Sequence, residues 1–417
     1  MAISATLAVK ILYICSGCVH YLSPQWAENT NATGSHMKIH EFKHPFFMAC
    51  LKYLGQLFCI LLYYIAFGRQ TVPNNNTVPG NVGPGAIADG GAVAAAADRP
   101  EPRPFARRRP GLNPRFPPEE RDPTKYNKFI FLLCTLCDMA RTGLLYVGPK
   151  LTYPSSSIML SGTVTFFTAL LSVAFLATPL QNRMWFGVCV SVCGLAVLGL
   201  RDYVFVHLNS YDSYGIAAGD LLIVMAMIMT ATQVILEEKF VKKHNISPLL
   251  TVGIEGLFGF VLTLILVVVF YFVHAGGFSK LPEHRLEDFI DAFTQMKSSW
   301  RIALAVVGTV VSVCFYSYFG ITIAKSHDHG AVSRMVLDNI ATLFVFAFFL
   351  IVGWQPVHWV MSIGFCLVVL GVMFYYDFIF YNIYLKIRRG LGCPELVLPG
   401  ADTEPLLVRN DAAVQER

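Results

Sequence analysis

Asp138 and Arg141 stand three residues apart, and Arg334 and Asp338 four apart, inside stretches that are otherwise almost wholly apolar. On a helix, either spacing puts both side chains on one face, so each pair could neutralise itself. Lys52 and Glu255 are embedded in similar stretches, and Lys10 and Asp220 lie nearer the ends of theirs. An ionised group deep in a bilayer costs at least ~3 kcal/mol unless it is paired or wetted, so it tends to face a cavity. Such groups can do two things. They can act structurally, as intrahelical pairs and snorkelling ends. Or they can line a central cavity and bind a polar or anionic solute, exchanging partners as the protein moves. Gln56, Gln233 and Asn339 share these helices, either as interhelical hydrogen bonds or as solute ligands. The candidate solute-binding set is therefore Lys52, Gln56, Asp138, Arg141, Gln233, Glu255, Arg334, Asp338 and Asn339.

Other chemistries find little support. There is no Ser-His-Asp ordering, no H-E-x-x-H and no membrane carboxylate pair at protease-like positions, so no catalytic residue is assigned and an enzyme is not expected. The chain has no Walker A motif, which argues against direct ATP coupling. Cys15/Cys18 and Cys134/Cys137 have the spacing of metal or redox pairs, but they lie in apolar helices without further ligands and read as packing residues. His327-Asp328-His329 resembles a metal cluster but lies in a short turn with no other ligand nearby. No cofactor or metal is expected.

The elements that must position these charges are ten apolar runs, at about 2–21, 45–67, 127–147, 154–177, 184–203, 215–236, 249–273, 301–324, 331–353 and 358–382. Each is long enough to cross a bilayer as a helix. Hydrophobic residues make up 55% of the chain and charged residues 14%, a balance that excludes a soluble domain. The net charge of +5 does not point to nucleic acid, because the basic residues cluster in loops. With the N-terminus in the cytosol, the cytosolic segments hold roughly twice the Lys and Arg of the opposite side. Both termini are then cytosolic. Lys10 and the missing cleavage site make the first run a span rather than a secretory signal.

The runs fall into two sets of five, which implies residues 1–203 and 204–383 as two repeats, followed by a tail over 384–417. An odd number of spans per repeat forces opposite orientations, the inverted repeat of secondary transporters. The two sets echo each other: Pro45 and Pro248 open the second and seventh spans, and Gly187/Gly194 in the fifth match Gly364/Gly371 in the tenth. Gly253, Gly256 and Gly259 form a stripe suited to close helix approach. Residues 71–123, rich in Pro, Gly, Ala and Arg, read as a disordered cytosolic insert. In the loop at 278–300, Leu286, Phe289, Ile290 and Phe293 share a face opposite Glu287, Asp288 and Asp291, as in a helix lying on the membrane surface.

The run Ile235-Leu236-Glu237-Glu238-Lys239-Phe240-Val241 is distinctive, as is Val252-Gly253-Ile254-Glu255-Gly256-Leu257-Phe258-Gly259-Phe260. With His44-Pro45-Phe46, Cys137-Asp138-Met139 and Arg334-Met335-Val336-Leu337-Asp338, they make the chain resemble solute carrier family 35, subfamily F, the member 6 type. The resemblance implies the drug/metabolite transporter fold: an all-α membrane protein of ten transmembrane helices arranged as two inverted five-helix repeats around a central cavity. Relatives in the wider family exchange nucleotide sugars for nucleoside monophosphates across Golgi and endoplasmic reticulum membranes. Against the family pattern, Ser161 and Ala341 replace arginines and Gln56 replaces a glutamate, while Lys52 and Arg141 are additions.

These readings converge on a secondary transporter that moves a polar, anionic organic solute, nucleotide-sugar-like or another metabolite, across an endomembrane. Arg141 and Arg334 would bind its acidic groups, with Asp138 and Asp338 holding them when the site is empty. The rival reading is a transporter-shaped interaction protein without strong flux of its own, relying on the insert and tail. Asp402, Leu406 and Leu407 form an acidic dileucine pattern for sorting adaptors, which implies lysosomal or late endosomal membranes, with Golgi as the alternative ahead of the mitochondrion. Asn31-Ala32-Thr33 is a glycosylation sequon on the lumenal side. The implied partners are the bilayer, a small-molecule solute, sorting adaptors and a second copy in a homodimer, but no nucleic acid.

Overall fold

A backbone in lipid must satisfy its own hydrogen bonds, so long apolar runs become helices. The computed structural model describes residues 2–35, 37–67, 126–152, 160–205, 213–274, 276, 285–326, 329–352 and 359–376. The insert at 71–123, the tail with Asp402, Leu406 and Leu407, and His327 and Asp328 lie outside the described residues. In chain order the elements are α1 (Ala2–Glu28), β1 (Asn31–Thr33), β2 (Ile39–Glu41), α2 (Pro45–Phe67), α3 (Ile130–Leu151) and α4 (Thr163–Leu176). There follow α5 (Asn182–Phe205), α6 (Ser213–His244), α7 (Pro248–Phe272), α8 (Phe289–Ser298), α9 (Trp300–Ser326), α10 (Gly330–Val352) and α11 (Trp359–Tyr375). Helices α1, α2, α3, α6, α7, α9 and α10 are long and apolar enough to cross a membrane; α4, α5 and α11 contribute shorter apolar helices. The chain is an all-α membrane protein with, among the described residues, one small antiparallel hairpin, β1–β2, in which Ala32 faces His40.

Two helices outrun their apolar stretches. α1 continues past residue 21 through Pro24 to Glu28. α6 continues past residue 236 to His244, because its last turns are packed: Glu237 and Glu238 are buried there. Glu238 accepts from the Ala331 amide at 2.6 Å and pairs with Lys242. The residues just beyond the apolar run at 215–236 thus form a helix end bonded to α10.

The ten apolar helices pair in a regular way. Numbered in chain order, the first packs on the eighth (α1–α9), the second on the seventh (α2–α7) and the third on the sixth (α3–α6). The fourth packs mainly on α6 and also meets the ninth (α4–α10), and the fifth packs on the tenth (α5–α11). Exchanging the first five of these helices for the last five maps these five pairs onto themselves.

Glycines make the closest approaches. A Cβ on Gly256 would sit 2.5 Å from the Leu57 amide nitrogen, and one on Gly253 would sit 2.7 Å from that of Ile60, so the glycine stripe is the α2–α7 seam. The matched glycines of the fifth and tenth spans face one another: a Cβ on Gly187 would meet the Gly371 carbonyl at 2.7 Å, and one on Gly194 the Gly364 carbonyl at 2.9 Å.

Helix α8 differs from its sequence reading. Its acidic face turns into the protein, with Glu287, Asp288 and Asp291 all buried. Asp288 caps the helix, accepting from the Ile290 and Asp291 amides. Leu286 and Phe289 pack inward, while Ile290 and Phe293 remain exposed. Polar donors around Ser35, His40 and His44 make this burial tolerable.

Gly256→Leu should lower the thermal unfolding temperature of the detergent-solubilised protein by the equivalent of ~1–3 kcal/mol, because the added side chain meets backbone. Gly143→Ala, which meets nothing within 4 Å, should be neutral or mildly stabilising.

Candidate functional site

Seven helices bring charged and hydroxyl groups together at their contacts. Lys52, on α2, places its Nζ 2.6 Å from Asp138 Oδ2, on α3. The Tyr53 hydroxyl donates to the same oxygen at 2.7 Å. Arg141, one turn along α3, donates through Nε and Nη2 to Asp138 Oδ1 at 2.9 and 2.7 Å. One carboxylate therefore holds two cations and a phenol. Asp138 is buried, but the Lys52 and Arg141 side chains are 19% and 25% exposed. Leu61 and Ile65 on α2, and Leu133 and Leu136 on α3, form the exposed apolar faces. At about 100° per residue, Lys52 lies about half a turn from Leu61, and Arg141 about 140° from Leu136 but only about 80° from Leu133.

Arg334 and Asp338 do not pair with each other. Arg334, on α10, donates to Glu237 Oε2, on α6, at 2.7 Å, and both residues are buried. Gly320 leaves room for the guanidinium: a Cβ there would sit 2.7 Å from Arg334 Nε. Asp338 instead accepts from three tyrosines, with Tyr21 on Oδ2 at 2.7 Å, and Tyr316 and Tyr13 on Oδ1 at 2.9 and 3.5 Å. The rings of Tyr13 and His20 stack on Tyr316 at 4.9 and 4.8 Å. Sequence spacing pointed to Asp338 as the arginine's partner, but a carboxylate supplied with hydroxyl donors does not need the cation.

The remaining candidates divide. Glu255 is buried and its Oε1 has no hydrogen-bond partner among the described residues. Gln56 donates to the Ser317 hydroxyl at 3.0 Å, leaving its Oε1 without a partner among the described residues. Gln233 donates to Glu237 Oε1 at 2.8 Å, so it supports the Arg334 ion pair from one turn away on the same helix. Asn339 exchanges hydrogen bonds with Thr165 on α4, at 3.3 and 3.2 Å. Near the span ends, Lys10 lies 4.5 Å over the Tyr376 ring and Asp220 accepts from Thr152 at 2.6 Å. The Asn31 side chain is exposed on β1.

Sequence reasoning missed Glu237, Tyr13, Tyr21, Tyr53, Tyr316 and His20. Glu237 falls just beyond an apolar run. The aromatics carry no charge and look like ordinary membrane residues.

Fold and network together define a polytopic helical membrane protein with a chain of buried ion pairs and hydroxyl–carboxylate contacts along its helix interfaces. The chain is 36% identical to solute carrier family 35 member F6 of Homo sapiens over 365 residues, which is 87% of this chain and 86% of that protein. The same identity and coverage hold for the protein of that name from Pongo abelii. The chain belongs to solute carrier family 35, subfamily F, within a family of transporters. A solved crystal structure shares the fold at 12% identity and a TM-score of 0.54, over 93% of this chain and 98% of that one. No family model matches.

Arg334→Met should destabilise the protein by ~3–5 kcal/mol, because it leaves Glu237 buried without its cation. Glu237→Gln in the same chain should recover much of that loss, read as thermal unfolding temperature in detergent. Equal losses in the single and double variants would show that the pair is not coupled.

Proposed function

We propose that this chain is a secondary transporter that moves a polar, anionic organic solute across an endomembrane by alternating access. Family membership supports transport as the activity. The self-mapping set of helix pairs supports two inverted five-helix repeats, 1–203 and 204–383, rocking against each other. The observation that carries the choice of an anion is the Lys52–Asp138–Arg141 cluster. Two cations share one carboxylate, so the group carries one positive charge in excess, and both cations keep part of their surface exposed.

In this reading, Asp138 holds Lys52 and Arg141 when no solute is present. An incoming phosphate or carboxylate competes for the two cations, and the Tyr53 hydroxyl follows the carboxylate it leaves. Arg334 plays a different part from the one its sequence position implied. Sealed against Glu237, it joins α10 to α6 rather than meeting the solute. A nucleotide-sugar-like metabolite fits the charge requirement, and the dileucine pattern of the tail supports delivery to lysosomal or late endosomal membranes.

The test is a thermal-shift screen of purified protein against nucleotide sugars, nucleoside monophosphates and lysosomal carboxylates. A ligand at 100 times its Kd stabilises the native state by about 2.7 kcal/mol. At least one anion should stabilise the parent protein but not Lys52→Met or Arg141→Met. Its uptake into proteoliposomes should fall at least ~10-fold in both variants, which corresponds to about 1.4 kcal/mol. Equal stabilisation and flux in the variants would remove these residues from the solute site.

A further inference from the structure

A second polar cluster lies outside the spans, where the β1–β2 hairpin meets α8. Its parts come from three elements: His40 on β2, His44 just before α2, and Asp291 and Gln295 one turn apart on α8. Asp291 Oδ2 lies 2.8 Å from His40 Nε2 and 3.2 Å from His44 Nε2, and the three atoms all fall within 4.8 Å of one another. His44, Asp291 and Gln295 are buried.

The surroundings orient each group. His44 Nδ1 faces Glu287 Oε1 at 2.8 Å, and His40 Nδ1 faces the Lys38 carbonyl at 3.1 Å. An Nδ1 proton donated to each acceptor leaves both Nε2 lone pairs aimed at the cluster. That is the arrangement by which carboxylates and carbonyls orient metal-binding imidazoles. Asp291 Oδ1 is fixed by the Ser35 amide and hydroxyl at 2.7 and 3.1 Å, which leaves Oδ2 to face the histidines. The fourth member is at odds with its neighbours. Gln295 Nε2 sits 2.7 Å from His40 Nε2, while Gln295 Oε1 is buried without a hydrogen-bond partner among the described residues. A flip of the amide, whose two ends are assigned rather than distinguished, brings that oxygen to the cluster.

We propose that His40 Nε2, His44 Nε2, Asp291 Oδ2 and Gln295 Oε1 form a structural site for a zinc-class divalent cation that staples the hairpin to α8. Two imidazoles, a carboxylate and an amide oxygen make a four-coordinate N/O set, and four protein ligands close the site as structural sites require. Ligands about 2.1 Å from a tetrahedral centre lie roughly 3.4 Å apart, so modest movements from the present separations suffice. The cation displaces the proton shared by His44 Nε2 and Asp291 Oδ2, and that proton goes to solvent. Because the imidazoles and carboxylate must be free of protons to bind a cation, binding weakens as pH falls.

The experiment uses tag-free, full-length protein in detergent, stripped with a chelator and titrated with Co²⁺ and then Zn²⁺. Expected are one equivalent of Co²⁺ with the visible absorption of a tetrahedral site, bleaching on zinc addition, and a higher unfolding temperature with either ion. His40→Gln and Gln295→Ala should bind at least ~10-fold more weakly, in line with the effect of losing groups around a metal, while remaining folded at the metal-free protein's unfolding temperature. Should His40→Gln fail to fold, Gln295→Ala and the parent titration decide the matter alone. No stoichiometric binding at micromolar metal, or full binding that survives in Gln295→Ala and in any folded His40→Gln protein, would overturn the proposal.

Discussion

The carboxylate of Asp138 is the constraint on which the interior of this protein turns. A lysine and an arginine inside lipid-crossing helices are tolerable only where something balances them. Asp138 takes both, with the Tyr53 phenol added, and so ties α2 to α3 at the depth of Lys52. The glycine seam that presses α7 onto α2 starts beside this point: a Cβ on Gly259 would run into the Tyr53 ring. Packing and electrostatics thus meet at one place. Loosening the carboxylate frees two cations and a helix contact together, which is the coupling that a moving transporter needs.

The other buried charges show what a settled structural pair looks like by comparison. Arg334 and Glu237 are both sealed, matched one to one, and supported by Gln233. Asp338 is satisfied by phenols. Neither leaves a cation in excess. Removing a partner from such a pair strands a charge, so the expected cost falls on folding rather than on binding.

The positions and order of the long apolar helices were legible from hydropathy, since backbone satisfaction in lipid leaves few alternatives to a helix. Asp138 with Arg141 was legible because three residues on a helix is a contact distance. The same local rule failed at Arg334, where Asp338 had already found hydroxyl donors on α1 and α9 and a carboxylate on α6 lay within reach. Lys52 and Asp138 are 86 residues apart, so no periodicity could pair them. Glu237 was set aside because apolar character ends there while the helix does not. The polar face of α8 looked solvated because its partners, His40 and His44, belong to a distant loop whose own pattern carries no helical period.

Cysteine accessibility at positions 52 and 141 tests the central claim most directly. The chain would carry Lys52→Cys or Arg141→Cys in a background with its eleven native cysteines replaced, reconstituted in liposomes, with Leu264→Cys as a lipid-facing control. A charged, membrane-impermeant thiol reagent should modify positions 52 and 141 and spare 264, since only the first two should face water. Silence at 52 and 141 toward that reagent, together with modification by a lipid-soluble maleimide, would place those side chains against acyl tails and contradict the account.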